Sequence, residues 1–305
     1  MSIATLTAPA AEFRAAGTDL SERRRSRVST GPLIDIMSSG ESGTSWSTDG
    51  AASIGAVTTI AMIAADARIT QAYPGIAASA QNLATPQVRQ LATLGGNLAQ
   101  RSRCWYFRNP HVECLKKGGS ACPARTGNHL YGVAFDLGDC VAPHPSTMAA
   151  ALLAYDAHVV TDRRDGLTIA DLLGDGSNGR VDHALAAGEI ITKIVLPAPL
   201  AGERAAYKRA ISRTYAEWPL AELCARVAIV DGKFQFARLA AGGIAPVPLR
   251  LTACESALQG KVANAATIAE AASHATSGAT PLPMTAYKLD LLEGLVRDLL
   301  ERLAA

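Results

Sequence analysis

Four cysteines in one short stretch are the residues of this chain best suited to redox chemistry. Cys104, Cys114, Cys122 and Cys140 follow the spacing C-x9-C-x7-C-x17-C. Zinc ribbons and fingers use close pairs, about two to four residues apart, whereas four thiolates on long loops can surround a [4Fe–4S] cube. Lys116-Lys117 and Gly118-Gly119 offer positive charge and backbone donors within the stretch. The spacing favours an iron–sulfur cluster, with zinc or unliganded thiols as alternatives.

The other cysteines and the nearby histidines are not expected to be ligands. Cys224 and Cys254 lie on apolar segments and are predicted to be small core residues. His111, His129 and His144 lie near the clustered cysteines. We expect each to be a surface or loop histidine.

Two glycine turns lie about eighty residues apart, at residues 15–20 and 93–98. Each could present backbone N–H groups to a diphosphate, with Thr18, Thr93 and Asn97 as side-chain donors. Neither turn matches a complete G-x-G-x-x-G or P-loop pattern, so two unrelated tight turns remain an alternative. Together with the cysteines, the turns suggest electron transfer between a nucleotide-type cofactor and a cluster.

Composition excludes several classes of partner. The 305 residues carry 29 Lys+Arg and 27 Asp+Glu, a net charge of +2, so nothing indicates nucleic acid or an anionic membrane. The basic run at residues 23–27 is expected to be a solvated helix face, with a cofactor phosphate contact as the alternative. No apolar run is long enough to span a bilayer, and no signal peptide is evident. We expect a cytoplasmic protein, or a periplasmic one exported with a signal-bearing partner.

Apolar periodicity predicts mixed helices and strands in at least two domains. A loop is expected from Ser38 to Gly50, and Pro197-Ala198-Pro199 indicates a domain boundary. The last predicted helix places an apolar face at Leu289, Leu292, Val296, Leu299, Leu300 and Leu303. Strands are predicted at 33–36, 52–57, 158–161, 190–196, 227–230 and 234–239, and helices at 59–67, 76–83 and 148–157.

Several of these segments resemble a known family. The runs Ile54–Thr59, Tyr73-Pro74-Gly75 and Pro86–Leu98 are similar to the FAD-binding subunit of molybdenum hydroxylases, the xanthine dehydrogenase family. Arg101–Phe107 and Cys140–Ser146 resemble the branch containing periplasmic aldehyde oxidoreductases, whose flavin subunit carries an extra [4Fe–4S] cluster. The flavin subunit of hydroxybenzoyl-CoA reductase has such an insertion as well.

The resemblance implies an α+β fold, with a two-subdomain FAD-binding fold of the PCMH/CO dehydrogenase flavoprotein type followed by a C-terminal α+β domain. The implied boundaries are 1–50 and 51–197 for the two subdomains, with the cluster insertion at 100–146, and 198–305 for the last domain.

The resemblance also assigns roles to residues of this chain. It places no catalytic residue here, and it makes Cys104, Cys114, Cys122 and Cys140 the cluster ligands. Two substitutions and a short N-terminus depart from the family pattern, since Ala16 replaces a glycine and Thr147 an aspartate, and we expect Ala16 to reduce FAD affinity. The implied FAD-binding residues are Ala16, Gly17, Thr18, Asp19, Leu20, Gln87, Arg89, Thr93, Gly95, Gly96, Asn97, Ser146, Lys208 and Tyr215.

The implied function is electron transfer within a larger enzyme. A large molybdopterin subunit would oxidise an aldehyde or aromatic heterocycle, and a small subunit with two [2Fe–2S] clusters would relay electrons to the FAD of this chain. The FAD would pass them to an external acceptor, in a heterotrimer or a dimer of heterotrimers. The alternatives are a self-contained flavoprotein oxidase of the vanillyl-alcohol oxidase type and a zinc-stabilised scaffold without redox activity.

Overall fold

The N-terminal segment is a small parallel βαβ unit. The computed structural model describes residues 11–212 and 217–305. Strands β1 (Glu12–Arg14) and β2 (Leu33–Asp35) pair in parallel, and helix α1 (Leu20–Arg25) connects them. Gly17 precedes α1 with a φ of +74°, a conformation that residues with a Cβ rarely adopt. The first glycine turn therefore lies at the entrance to α1.

A five-stranded antiparallel sheet follows, with the strand order β3-β4-β7-β5-β6. Ile54, Ile194 and Val159 are neighbours across its three central strands, and none of them is exposed. Such a cross-strand row stabilises the pairing and fixes its register. The strands are β3 (Thr44–Trp46), β4 (Ala52–Gly55), β5 (His158–Thr161), β6 (Leu167–Thr168) and β7 (Ile191–Leu196).

Short helices cover this sheet, and polar side chains fix where most of them begin. Thr59, Asp66, Thr85, Thr93, Ser146 and Thr168 each accept a backbone N–H in the first turn of a helix. Each such N-cap contributes about 1 kcal/mol. The helices are α2 (Ile60–Ala65), α3 (Ala67–Ala72), α4 (Pro74–Asn82), α5 (Pro86–Leu91), α6 (Leu94–Leu98), α8 (Thr147–Ala154) and α9 (Ile169–Leu173).

A cysteine-bearing insertion separates α6 from α8. It contains one short helix, α7 (Trp105–Arg108), a 3-10 turn at Leu115–Lys117, and otherwise irregular backbone. A small core of Ala124, Val133 and Val141 lies within it. Its backbone also bonds to the C-terminal part of the chain, because the N–H groups of Ala134 and Phe135 both donate to the carbonyl oxygen of Ile244.

A four-stranded antiparallel sheet with the order β11-β10-β9-β8 forms the last part of the chain. Its hairpin between β9 and β10 turns at Asp231 and Gly232, with φ of 50° and 70°, as an Asp-Gly turn favours. Helix α12 packs on this sheet with Leu292, Val296 and Leu299 fully buried. The elements are β8 (Glu203–Ala210), β9 (Ala221–Val230), β10 (Lys233–Gly242), β11 (Leu249–Arg250), α10 (Thr252–Leu258), α11 (Ala265–Ser273) and α12 (Tyr287–Ala304).

The two sheets share a core at the start of α4. Gly75 N–H donates to the Tyr155 hydroxyl at 3.0 Å, and a Cβ at Gly75 would come within 2.8 Å of Cys224 Sγ on β9. Glycine is therefore required for this close approach. Cys224 and Cys254 are both fully buried, as the sequence predicted.

The structure confirms the mixed helix and sheet content but differs from the sequence expectations in several places. The second glycine turn, residues 93–98, is folded as α6 with Thr93 as its N-cap. Strand β3 lies inside the segment 38–50 that was expected to be a loop, and β8 follows the proline boundary where no strand was expected. The sequence of β8, Glu-Arg-Ala-Ala-Tyr-Lys-Arg-Ala, is an edge strand rich in charge, which lacks the apolar run of a buried strand. Among the described residues, no helix is long and apolar enough to cross a membrane.

Candidate functional site

A cleft brings both glycine turns together with the start of α8 and the C-terminal sheet. Its cavity has a volume of about 220 Å³. Thr18 comes from the first turn, Asn97 from the second and Thr147 from α8. Its lining residues are Thr18, Glu22, Leu83, Ala84, Thr85, Val88, Ala92, Asn97, Gln100, Arg103, Pro145, Thr147, Arg209, Glu217, Trp218 and Pro219.

The first turn has free backbone donors. Within residues 11–212 and 217–305, no group accepts a hydrogen bond from the N–H of Gly17, Thr18, Asp19 or Leu20. Thr18 is exposed and Leu20 is buried. Ala16 does not have a positive φ, so its Cβ causes no backbone strain there.

The second turn uses its donors internally. The N–H groups of Leu94 and Gly95 donate to the carbonyl oxygens of Thr58 and Ala56, and that of Asn97 to the Thr93 carbonyl. Gly96 N–H donates to Thr93 Oγ1 at 3.2 Å. This turn therefore offers side chains to the cleft rather than a row of free N–H groups.

Asn97 and Ser146 connect the second turn to α8. Ser146 Oγ donates to Asn97 Oδ1 at 2.6 Å and accepts from Ala149 N–H at 3.0 Å. One hydroxyl thus caps α8 and fixes the orientation of the Asn97 amide, which lines the cleft. The spacing between these residues in sequence is forty-nine positions, because the cysteine insertion lies between them.

Among the described residues, Thr18 and Asn97 are the predicted FAD-binding residues that line the cleft. Gln87 is exposed on α5. Arg89 Nη1 donates to the carbonyl oxygens of Leu83 and Ala84, so it holds the chain before α5. Lys208 pairs with Asp298 at 2.9 Å and is half-exposed. Tyr215 lies outside the described residues.

Sequence reasoning missed an arginine cluster around Asp19. The Asp19 carboxylate pairs with Arg23 at 3.0 Å, Arg103 at 3.1 Å and Arg108 at 2.7 Å. Burial raises the pKa of Asp19, but the charges of Arg103 and Arg108 outweigh it, and the pKa lies below its usual value. Arg23 belongs to the basic run expected to be a solvated face, yet its side chain is only 12% exposed. That expectation was wrong for Arg23, since Asp19 and Glu12 both pair with it and its side chain is largely buried.

Two of these arginines keep unused donors, and one of the two lines the cleft. Arg103 Nε and Arg108 Nη1 are buried without a hydrogen-bond partner among the described residues. Arg103 also lines the cleft and stacks over the Trp218 ring at 4.9 Å. Guanidinium groups with free donors are suited to phosphate. The sequence signal for them was the run Arg101-Ser102-Arg103 beside the first clustered cysteine.

The four clustered cysteines interact with one another in the folded chain. The thiols of Cys122 and Cys140 are hydrogen-bonded, and Cys104 interacts electrostatically with Cys114 and Cys122. The Cys140 thiol lowers the pKa of Cys122 to about 5, and the same contact raises the pKa of Cys140. All four are free thiols.

Backbone N–H groups point at three of these sulfurs. Tyr106 and Phe107 donate to Cys104, and Ala142 donates to Cys140. Cys122 receives N–H groups from Ala124, Arg125 and Val141. Within the described ranges, no group of three or more His, Cys, Asp or Glu side chains has the geometry of a single-ion metal site.

The three histidines near the cysteines differ in environment. His111 is exposed, but His129 and His144 are buried. His129 Nδ1 bonds to the carbonyl oxygens of Ala124 and Gly127, each at 3.0 Å. All three lie in irregular segments, as expected of loop histidines, although His129 and His144 are buried. The insertion folds against the C-terminal part of the chain, and this contact buries His129 and His144.

The family profile described as FAD binding domain in molybdopterin dehydrogenase matches residues 2–199. The chain belongs to this family. A second profile, CO dehydrogenase flavoprotein C-terminal domain, matches residues 205–303. The predicted oxidoreductase class, FAD-binding character and fold are thereby confirmed.

Named relatives and solved structures agree with this family. The chain is 33% identical over 258 residues to the aldehyde oxidoreductase FAD-binding subunit PaoB of Escherichia coli K12, covering 82% of this chain and 80% of PaoB. Carbon monoxide dehydrogenase from Hydrogenophaga pseudoflava has a TM-score of 0.74 at 22% identity, with 98% and 90% of the two chains covered. Quinoline 2-oxidoreductase from Pseudomonas putida 86 has a TM-score of 0.75 at 20% identity, covering 99% and 91%. At these identities the two structures show the shared fold.

Proposed function

We propose that this chain is the electron-transferring FAD and [4Fe–4S] subunit of a heteromeric molybdenum hydroxylase that oxidises an aldehyde or aromatic heterocycle. The observation that carries the proposal is that the group of four interacting thiols begins next to a residue that lines the cleft. Arg103 lines the cleft, and the next residue is Cys104. A flavin in the cleft and a cluster at the thiols would therefore be neighbours.

The cleft fits FAD in two respects. The apolar side chains of Leu83, Ala84, Val88 and Pro219 suit one face of a planar ring, and the isoalloxazine end would lie there. The free N–H groups of residues 17–20 and the unused donor of Arg103 suit the diphosphate. FAD supplies chemistry that accepts electrons one or two at a time, while the protein positions and tunes it.

The second turn would contribute by shape and side-chain contacts. Thr93, Gly95 and Gly96 hold the turn closed, and Asn97 with Ser146 orients one amide toward the cleft. Ala16, Gly17, Thr18 and Leu20 shape the first turn, and Asp19 holds the arginines in place. Gln87, Arg89 and Lys208 are not part of the cofactor contact set that we propose.

The insertion fits a [4Fe–4S] cluster. Each thiolate of a cube binds a different iron atom, so the four sulfurs need not converge on one point. Hydrogen bonds from backbone N–H groups to ligand sulfurs stabilise a cluster and tune its potential. Six such groups already point at Cys104, Cys122 and Cys140, and Cys114 would complete the set.

The partners would be a large molybdopterin subunit and a small subunit with two [2Fe–2S] clusters, in a heterotrimer or a dimer of heterotrimers. PaoB is itself named as one subunit of an aldehyde oxidoreductase, which supports a divided enzyme. Substrate would be oxidised on the large subunit. The external acceptor would take electrons here, in the cytoplasm or, after export with a partner, in the periplasm.

We also propose the domain division 1–50, 51–197 with the insertion 100–146, and 198–305. The pairing of β3 with β4 crosses position 50, so the first two subdomains would share a hairpin. The second proposed boundary lies between β7 and β8.

Cofactor analysis of the anaerobically purified complex tests the proposal. We expect one FAD with about four iron and four sulfide per chain. Replacing Cys104, Cys114, Cys122 or Cys140 singly by serine should lose or convert the cluster, because a serine oxygen is a poor ligand for iron–sulfur corners. Cys254→Ser is the matched control, since Cys254 lies in the separate C-terminal core. Stoichiometric zinc without flavin would contradict the proposal, and a full cluster in any one of the four variants would contradict the ligand set.

A further inference from the structure

A second cavity, of about 360 Å³, adjoins the flavin cleft. Its size lies in the usual range for small-molecule sites, about 300–1,000 Å³. It shares Arg103, Pro145 and Trp218 with the cleft. No residue of either glycine turn lines it, and Cys104 is the one clustered cysteine among its described lining residues. It is thus separate from both proposed cofactor positions but in contact with each.

The walls of this cavity are aromatic and apolar. Trp105 is 48% exposed and Trp218 is 52% exposed, although exposed tryptophan is costly for a surface with no partner. Tyr131 lies edge-on to Trp105, with ring centroids 5.8 Å apart. Val141 and Pro143 add apolar surface. Such walls suit a planar aromatic ligand.

His144 supplies one polar group to the cavity. Its Nδ1 accepts a hydrogen bond from the N–H of Ser146 at 3.3 Å, so Nε2 carries the proton of the neutral ring. Nε2 is buried and has no hydrogen-bond partner among the described residues. Burial lowers the pKa of His144 to about 4, so the ring stays neutral near pH 7. The chain thus leaves one buried N–H donor unused, which is costly without a ligand.

Lys288 supplies the second polar group. It is 1% exposed, and its Nζ donates to the carbonyl oxygen of Gly243 at 2.7 Å and more weakly to that of Tyr131 at 3.4 Å. In the described part of the chain no carboxylate pairs with it. Burial lowers its pKa to about 7. An ammonium has three donors, and two are engaged, so one remains for a ligand.

Both polar groups are donors, and the walls around them are largely apolar, with Arg103 and Glu217 as charged lining residues. A complementary ligand needs acceptor oxygens on a flat aromatic frame. An aromatic carboxylate is less suited, because the Glu217 carboxylate lines the same cavity and Arg103 is already paired with Asp19 and Glu22. A quinone provides two carbonyl acceptors without a charge.

We propose that this second cavity is the binding site of a quinone-type electron acceptor, held by hydrogen bonds from His144 and Lys288 between aromatic walls. The inference rests on the proposed function, since it names the class of the external acceptor. Two electrons from the reduced protein and two protons convert the bound quinone to a hydroquinone, which then leaves. Arg103 and Trp218 separate the quinone from the flavin cleft, so the transfer distance is short.

Binding by the oxidised complex tests the site without turnover. Equilibrium dialysis with 2-methyl-1,4-naphthoquinone should show saturable binding, and Lys288→Met should weaken it about tenfold, since one hydrogen bond from a charged donor is lost. His144→Phe should weaken it severalfold, and Leu220→Trp should abolish it by filling the cavity. Lys261→Met, on the exposed turn after α10, is the matched control and should bind as the unmodified protein does. Lys288→Met removes an unpaired buried charge, so it is expected to fold.

Turnover with two acceptors provides the second measurement. Ferricyanide accepts electrons without a specific site, so Lys288→Met and Leu220→Trp should keep its reduction while quinone reduction falls at least tenfold. The site is overturned if quinone binding is unchanged in both variants, or if 2-naphthoate binds and the quinone does not. A parallel loss with both acceptors would equally overturn it. Absence of FAD, with no reduction of either acceptor, would instead overturn the proposed function, while dialysis would still report on the cavity.

Discussion

The two glycine turns are similar in sequence but differ in how they are held. The turn at residues 93–98 is closed by backbone bonds to Ala56 and Thr58, and Gly95 packs directly on the strand end that supplies them. The turn at residues 15–20 keeps its N–H groups free, and charge holds it through Asp19 and the arginines of the insertion. One turn belongs to the core, whereas the other is held by ion pairs and keeps its N–H groups available to the proposed cofactor.

Gly95→Ala should have the largest effect and should act on stability. A Cβ at this position would lie 2.9 Å from the Cβ of Ala56 and 3.2 Å from its carbonyl oxygen, and both belong to the buried β4 end. Overpacking of this kind costs about 1–3 kcal/mol. Scanning calorimetry should show a melting temperature several degrees lower. An unchanged melting temperature would mean that the second turn is not a core element.

Gly17→Ala should act mainly on cofactor binding. Its Cβ would make only ordinary contacts, at 3.4 Å or more, but the φ of +74° is strained for alanine by about 1–2 kcal/mol. Relief of that strain would move the free N–H groups of the turn. We expect the dissociation constant for FAD, measured by flavin fluorescence, to rise about tenfold. The melting temperature should change little. If the melting temperature fell as much as in Gly95→Ala, the first turn would be a core element like the second.

Acid should loosen the first turn and leave the second unaffected. The pKa of Asp19 is depressed, so its contribution is complete above the usual carboxyl range and is lost as pH falls through the lowered value. Asp19→Asn should weaken FAD binding severalfold at pH 7, and the difference from the unmodified protein should shrink as Asp19 is protonated. Flavin fluorescence titrations from pH 7 downward measure this difference in FAD affinity.

Glu293→Gln is the control for that experiment. Glu293 forms an exposed pair with Arg297 on α12, and exposed pairs contribute little, about 0–1 kcal/mol. The FAD affinity of Glu293→Gln should equal that of the unmodified protein at every pH. If the Asp19→Asn difference instead grew as the pH fell, charge would not be what holds the first turn.

Local pattern in the sequence predicted much of the fold. The apolar face of α12 and the strand at His158–Thr161 both depend on neighbours within a few positions, so periodicity was enough to indicate them. The cysteine spacing suggested a cluster for the same reason, and the family resemblance, which the profile match confirmed, gave the FAD-binding fold.

The tertiary structure alone decided how the candidate site is assembled. The second turn loses its free donors to carbonyls about thirty-five residues earlier, Asp19 meets arginines more than eighty positions away, and His144 is buried by the C-terminal sheet. Lys208 points to Asp298 instead of the cleft. These contacts join segments that have no common periodicity, and their free energies depend on packing that forms only when all three sheets are in place. The sequence therefore determined the elements and the cofactor class, and long-range packing determined which donors remain available to a ligand.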